Sequence, residues 1–139
     1  MLRILLFYLL LLITIKGFAA DFNRSIHWLT GENADVKTGK QSVWFEGSVT
    51  MDKSGLPYWF ESFVLNSDGA QILIYNEVFE VVTDSLPFQD KILADTLIYS
   101  TEIGHSAGIA FLRLTVNPFI KKNNQIERLV SFSVSIQEI

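Results

Sequence analysis

Val130-Ser131-Phe132-Ser133-Val134-Ser135-Ile136 alternates apolar and polar side chains without a break. In an extended chain, residues two apart share a face. Val130, Phe132, Val134 and Ile136 are therefore predicted to face a core, and the three serines to face water. A helix would scatter both sets around its axis, so this stretch decides for β-structure. Just upstream, residues 108–116 read as a second strand, with Ile109, Phe111 and Arg113 on one face and Ala110, Leu112, Leu114 and Val116 on the other. Pro118 is tolerable only at a strand end or sheet edge. Asn123-Asn124 then supplies a hairpin turn, because asparagine accepts the left-handed conformation.

Further upstream the same punctuation recurs. Residues 71–82 form a long β-rich run in which Ile72, Ile74 and Val78 alternate with Leu73, Tyr75 and Phe79, so both faces are expected to be largely buried. Asp68-Gly69 before it is a turn signal. Residues 59–65 and 42–51 make two more strands, joined through Asp52-Lys53-Ser54-Gly55-Leu56-Pro57, and residues 25–29 and 97–103 complete about seven. Only residues 85–93 have room for a helical turn, and Pro87 limits it. Seven or more short strands with frequent turns predict an all-β fold, an antiparallel, jelly-roll-like β-sandwich, with a half-open barrel as the alternative.

The N-terminus reads differently. Arg3 precedes an apolar run over residues 4–15, and Gly17-Phe18-Ala19 places small residues two apart. This is the pattern of a Sec-type secretory signal cut after Ala19, and the run is short for a membrane span, which takes about 20 residues. An uncleaved anchor is the competing reading, with Lys16 close to the cut. Residues 1–19 are thus expected to be a signal peptide and residues 20–139 a single β-sandwich domain. No cysteine follows the run, which excludes a lipoprotein anchor. The chain contains no Cys at all. Small secreted domains of eukaryotes usually carry disulfides, so an exported domain without them points to a bacterial envelope, in the periplasm or at the outer-membrane surface.

Without Arg3 and Lys16 the domain carries nine basic residues against 15 acidic ones. That balance opposes nucleic acid as a partner, since phosphates call for a basic face, and it opposes a polybasic grip on anionic lipid. Catalytic constellations are equally scarce. No serine sits in a Gly-x-Ser-x-Gly elbow. The two histidines, His27 and His105, have no metal-binding spacing, so zinc is not expected, nor any other cofactor. His27 beside Trp28 reads as a strand or rim residue. His105, in Gly104-His105-Ser106-Ala107-Gly108, reads as part of a turn. Glu46 and Glu61 follow Trp44-Phe45 and Trp59-Phe60 and are the one candidate carboxylate pair for glycoside chemistry, although each alternates with aromatics as a solvent-facing strand residue would. Trp44, Tyr58 and Trp59 offer an aromatic platform for a glycan, against the commoner use of tryptophan in a core. Asn23-Arg24-Ser25 matches a glycosylation acceptor.

The second half carries a family resemblance. Asn117-Pro118-Phe119-Ile120-Lys121-Lys122, followed by Ile126-Glu127-Arg128-Leu129-Val130-Ser131-Phe132-Ser133-Val134, resembles the end of the N-terminal domain of the PorU family, the gingipain-related cysteine peptidases that act as sortases of the type IX secretion system. Ser54-Gly55-Leu56-Pro57-Tyr58 is similar to that family's Gly-Leu-Pro-aromatic turn, and Val78-Phe79-Glu80-Val81-Val82 to its mid-domain strand. The match is loose over residues 22–136 and good over residues 117–136. The resemblance implies a sandwich like the gingipain prodomain, preceding a caspase-like peptidase domain that holds the catalytic His and Cys. No position here matches those residues, so none is carried over, and the chain itself is read as non-catalytic: a fragment, or a domain separated from its enzyme. It would assist folding of the peptidase, shield it or position it, with other type IX secretion components as further partners. In such a prodomain a loop lysine would enter an acidic specificity pocket, which makes Lys53, Lys91 and Lys121 the candidate contacts to the peptidase. A plain packing domain with solvated lysines is the simpler reading. The alternative function is a stand-alone glycan-binding or adhesin module, favoured by exposed tryptophans.

Overall fold

The computed structural model describes residues 19–29, 44–50, 56–83 and 93–139. Eight strands lie among them: β1 (Ala19–Ser25), β2 (Val49–Thr50), β3 (Pro57–Leu65), β4 (Ala70–Val82), β5 (Ile98–Ser106), β6 (Ile109–Asn117), β7 (Phe119–Lys122) and β8 (Gln125–Glu138). None of the described residues is helical. One sheet has the order β1-β8-β4, with β7 on β8 as well; the other has the order β2-β3-β6-β5, and every pairing is antiparallel. The predicted sandwich is present.

The strand that decided the fold is the longest and lies inside its sheet. Phe132, Val134 and Ile136 point inward as the alternation predicts, and with Leu112, Leu114 and Val116 of β6 they fill the space between the sheets. Burying each such side chain contributes about 1.5–3 kcal/mol. Trp59 stands edge-on to Phe132, at 4.9 Å between centroids, and Phe22 meets Phe63 at 5.1 Å, so both contacts join the two layers.

Two predictions about this strand need correction. Val130 is not a regular core position: the β4–β8 register passes from Val78↔Ser131 to Phe79↔Leu129, which leaves Val130 as an extra residue in a bulge. The bulge shifts the phase of the alternation, so Leu129 rather than Val130 takes the fully buried place. The outer row of serines is not uniformly wet either. Ser133 is buried and donates its hydroxyl to Asn23 Oδ1 at 2.7 Å. That bond also holds the amide of the apparent glycosylation acceptor within a paired strand, where Asn23 faces Ser133.

Other boundaries moved for local reasons. The first strand ends at Ser25 instead of beginning there, because the ladder beyond it meets the Val130 bulge, where the Ile26 N–H donates to the Val130 carbonyl. The run expected over 42–51 is largely turn among its described residues. The Ser48 N–H reaches back to the Phe45 carbonyl and Gly47 has φ +77°, which confines strand to Val49–Thr50. β4 is not buried on both faces. It is an edge strand with Leu73, Val78 and Val81 exposed. A second bulge, where Asn76 takes φ +53°, interrupts its register between Tyr75 and Val78. Asn123 and Asn124, both at positive φ, make the predicted tight turn, between β7 and β8. Pro118 separates β6 from β7, as a residue without an N–H should.

Candidate functional site

Inside the sandwich, the polar feature is an ion pair. Glu61 lies opposite Leu114 in the β3–β6 ladder and Arg24 opposite Phe132 in the β1–β8 ladder, so both point toward the space between the sheets. Arg24 Nε donates to Glu61 Oε2 at 2.6 Å and Nη2 to Oε1 at 2.8 Å, the bidentate fork that suits a guanidinium and a carboxylate. The side chains keep 30% and 31% of their surface exposed, which places the pair at the rim of the core. Arg24 also lies over the rings of Phe22 and Phe63. Its pKa is raised, chiefly by the hydrogen bond to Glu61. This corrects the expectation of a solvent-facing Glu61. Glu61 is committed to a structural pair, while Glu46 is exposed beside the Gly47 turn.

The histidines lie far apart along β8, His27 beside its middle and His105 beside its C-terminal end. His27 follows the Ile26 contact to Val130, whereas His105 bonds Asp68 Oδ1 at 3.2 Å, beside the turn whose Gly69 carbonyl accepts the Ile139 N–H. The separation along the strand is about 3.3 Å per residue over nine residues, roughly 30 Å. His105 is also not in a turn. β5 continues through it to Ser106, and the reversal is the two-residue Ala107-Gly108, both at positive φ. Among the described residues no three His, Cys, Asp or Glu side chains gather as a metal site would require.

The aromatic trio does not form one platform. Trp59 packs on the core, and Tyr58, on the opposite face of β3, packs with the second cluster around Leu56 and Phe119; Trp44 is exposed. Trp28 links the clusters. It bridges to Phe45, touches Phe119, donates its indole N–H to the Leu129 carbonyl and carries Arg128 over its ring at 4.7 Å. Arg128 in turn pairs with Glu80.

Of the three candidate lysines, Lys53 and Lys91 lie outside the described residues. Lys121 is described, and it is in β7 rather than a loop, half-buried, with its backbone N–H donating to the Ala94 carbonyl at 2.8 Å. The proposed signal peptide, apart from Ala19, also lies outside the described residues. Ala19 itself pairs with Gln137 at the start of β1.

The surface feature that sequence reasoning missed is β5. Every residue of it except Gly104 is exposed, and its only partner among the described strands is β6. Periodicity alone cannot show that a strand is left at an edge. The outer face of the same sheet is apolar too, with Val64 75% and Ile109 53% exposed and Phe60 beside Arg113.

No protein-family model matches the chain, and no curated protein does. Among solved structures, it is similar to a chain in the complex of the pro- and mature domains of the gingipain RgpB from Porphyromonas gingivalis. The TM-score is 0.58 at 9% sequence identity, over 91% of this chain and 83% of that one, so the two are of similar length. What they share is the fold.

Proposed function

We propose that this chain is a non-catalytic, prodomain-like module that works on a gingipain-like cysteine peptidase. The observation that carries the proposal is the shared architecture with a chain of the RgpB pro- and mature-domain complex, over nearly the whole length of both. The interior agrees with a supporting role. Glu61, an acid facing the space between the sheets, is neutralised by Arg24, and the buried core around the pair is apolar.

The finer reading, a domain of the type IX secretion sortase family PorU, is supported by the Asn117–Val134 resemblance. It implies export through the Sec route, residence in the periplasm or at the outer-membrane surface, and action beside an enzyme that trims the C-terminal sorting signals of secreted cargo. Lys53, Lys91 and Lys121 are the proposed contacts to the peptidase. Lys121 is the weakest of the three as a pocket-filling side chain, because its strand is tied on both sides, to β8 and to Ala94.

The test is crosslinking of the tagged chain in its native envelope, with identification of the captured protein. Recovery of a caspase-like cysteine peptidase is the expected result. A captured peptidase whose activity falls when purified chain is added back makes the module an inhibitor, and one whose activity is unchanged makes it a packing domain. Capture without any cysteine peptidase, or retention on a glycan array instead, overturns the proposal.

A further inference from the structure

We infer that β5 is a self-pairing edge, through which two copies of this chain join their β2-β3-β6-β5 sheets into one continuous sheet. Exposed edges invite strand addition, and proteins commonly blunt them with bulges, prolines, charges or short length. The other edges here are blunted. β4 has the Asn76 bulge, β2 has two residues, β7 follows Pro118 and carries Lys121 and Lys122, and β1 turns Arg24 inward. β5 has no bulge and no proline, and it is nine residues long. Its register against β6 runs unbroken from Ile98↔Asn117 to Ser106↔Ile109, and its single carboxylate is Glu102.

The strand's own sequence selects the register. A two-fold axis normal to the sheet keeps both inner faces on one side, so each residue faces a residue of the same parity in the second copy. Centring on Glu102 would oppose two carboxylates, which is destabilising. Centring on Ser100 shortens the ladder, and centring on Ile103 leaves Tyr99 outside it. Centring on Thr101 pairs Thr101 with itself, places Glu102 opposite Ser100, and sets Tyr99 against Ile103 twice. Aromatic on β-branched is a favourable cross-strand pair. Tyr99 and Ile103 lie on the inner face, opposite Val116 and Leu112, yet both remain exposed. Pairing with a second copy covers both, and an extended peptide from another protein is the competing occupant.

Sedimentation velocity of the full chain across a concentration series is expected to show a reversible dimer. Thr101→Lys, which sets like charges face to face at the axis, should weaken it at least about tenfold. Val64→Lys, on the outer face away from the edge, should leave it intact. Because the chain has no cysteine, Thr101→Cys provides a second reading: mild oxidation should give a covalent dimer, whereas Ser106→Cys should not. A monomer at every concentration, a dimer indifferent to Thr101→Lys in a variant with unchanged circular dichroism, or equal crosslinking through both cysteines would overturn the inference. The peptidase reading stands or falls separately.

Discussion

Arg24 and Glu61 reach across the sandwich from different sheets and meet in a two-point hydrogen-bonded fork at the rim of the core. Arg24 sits on the edge strand β1 and Glu61 on β3, so the pair fastens β1 to the opposite sheet, beside the contact of Phe22 with Phe63. Being partly exposed, it avoids the full desolvation cost of a buried pair while retaining good geometry.

A double-mutant cycle measures that fastening. Arg24→Met and Glu61→Leu should each destabilise the domain, since each leaves a charge facing apolar neighbours without its partner. The double variant should recover part of the loss, because an apolar pair of similar volume suits the site. The coupling is expected at about 1 kcal/mol in urea denaturation and should shrink in high salt. Additive losses would show that the two side chains act independently.

Glu138 ties the end of β8 to the turn that crosses between sheets. Its carboxylate accepts the Ser67 N–H at 2.8 Å and also bonds the Asn66 N–H, the Asn66 side-chain amide and the Ser67 hydroxyl. These bonds, the Ser67 N–H foremost, lower its pKa below the ordinary 4.5. A carboxyl with a lowered folded pKa contributes stability that is present above its unfolded value and is lost as pH falls through the folded one. Melting temperature should therefore fall as the solution is acidified below about pH 4.5. Glu138→Gln should flatten this part of the profile. An identical profile in the variant would remove Glu138 from the acid response.

Phe111 lies over Gly104, its cross-strand neighbour in β5, so closely that a Cβ on Gly104 would overlap the ring. An aromatic ring lying across a strand glycine supplies the packing that residue lacks. Gly104→Val should swing the ring toward solvent and cost about 1 kcal/mol, the low end for overpacking, because the ring's far end can move. The ring should also shift the Gly104 Hα resonances upfield, and Phe111→Leu should abolish that shift. Unshifted Gly104 protons in the parent chain would contradict the placement.

The alternation at Phe132, Val134 and Ile136, the Ala110-Leu112-Leu114-Val116 row and the Asn123-Asn124 turn were legible in the residues alone. Each depends on the two-residue period or on local backbone preference, and neither needs knowledge of a partner strand. Partners decided the rest. The Val130 bulge exchanged Val130 for Leu129 in the core only because β4 adds no residue opposite it. Glu61, which reads as a solvent-facing residue between aromatics, points inward because its register with Leu114 sets it so, and Arg24, 37 residues away, makes that tenable. β4 and β5 are apolar enough for a sheet centre but lie at edges, since strand order is a property of the assembled sheets. Local chemistry determined where this chain runs extended and where it turns. Pairing across long sequence separations decided which side chains meet, because cross-strand register is set by the fit of the whole sheet and not by any one strand.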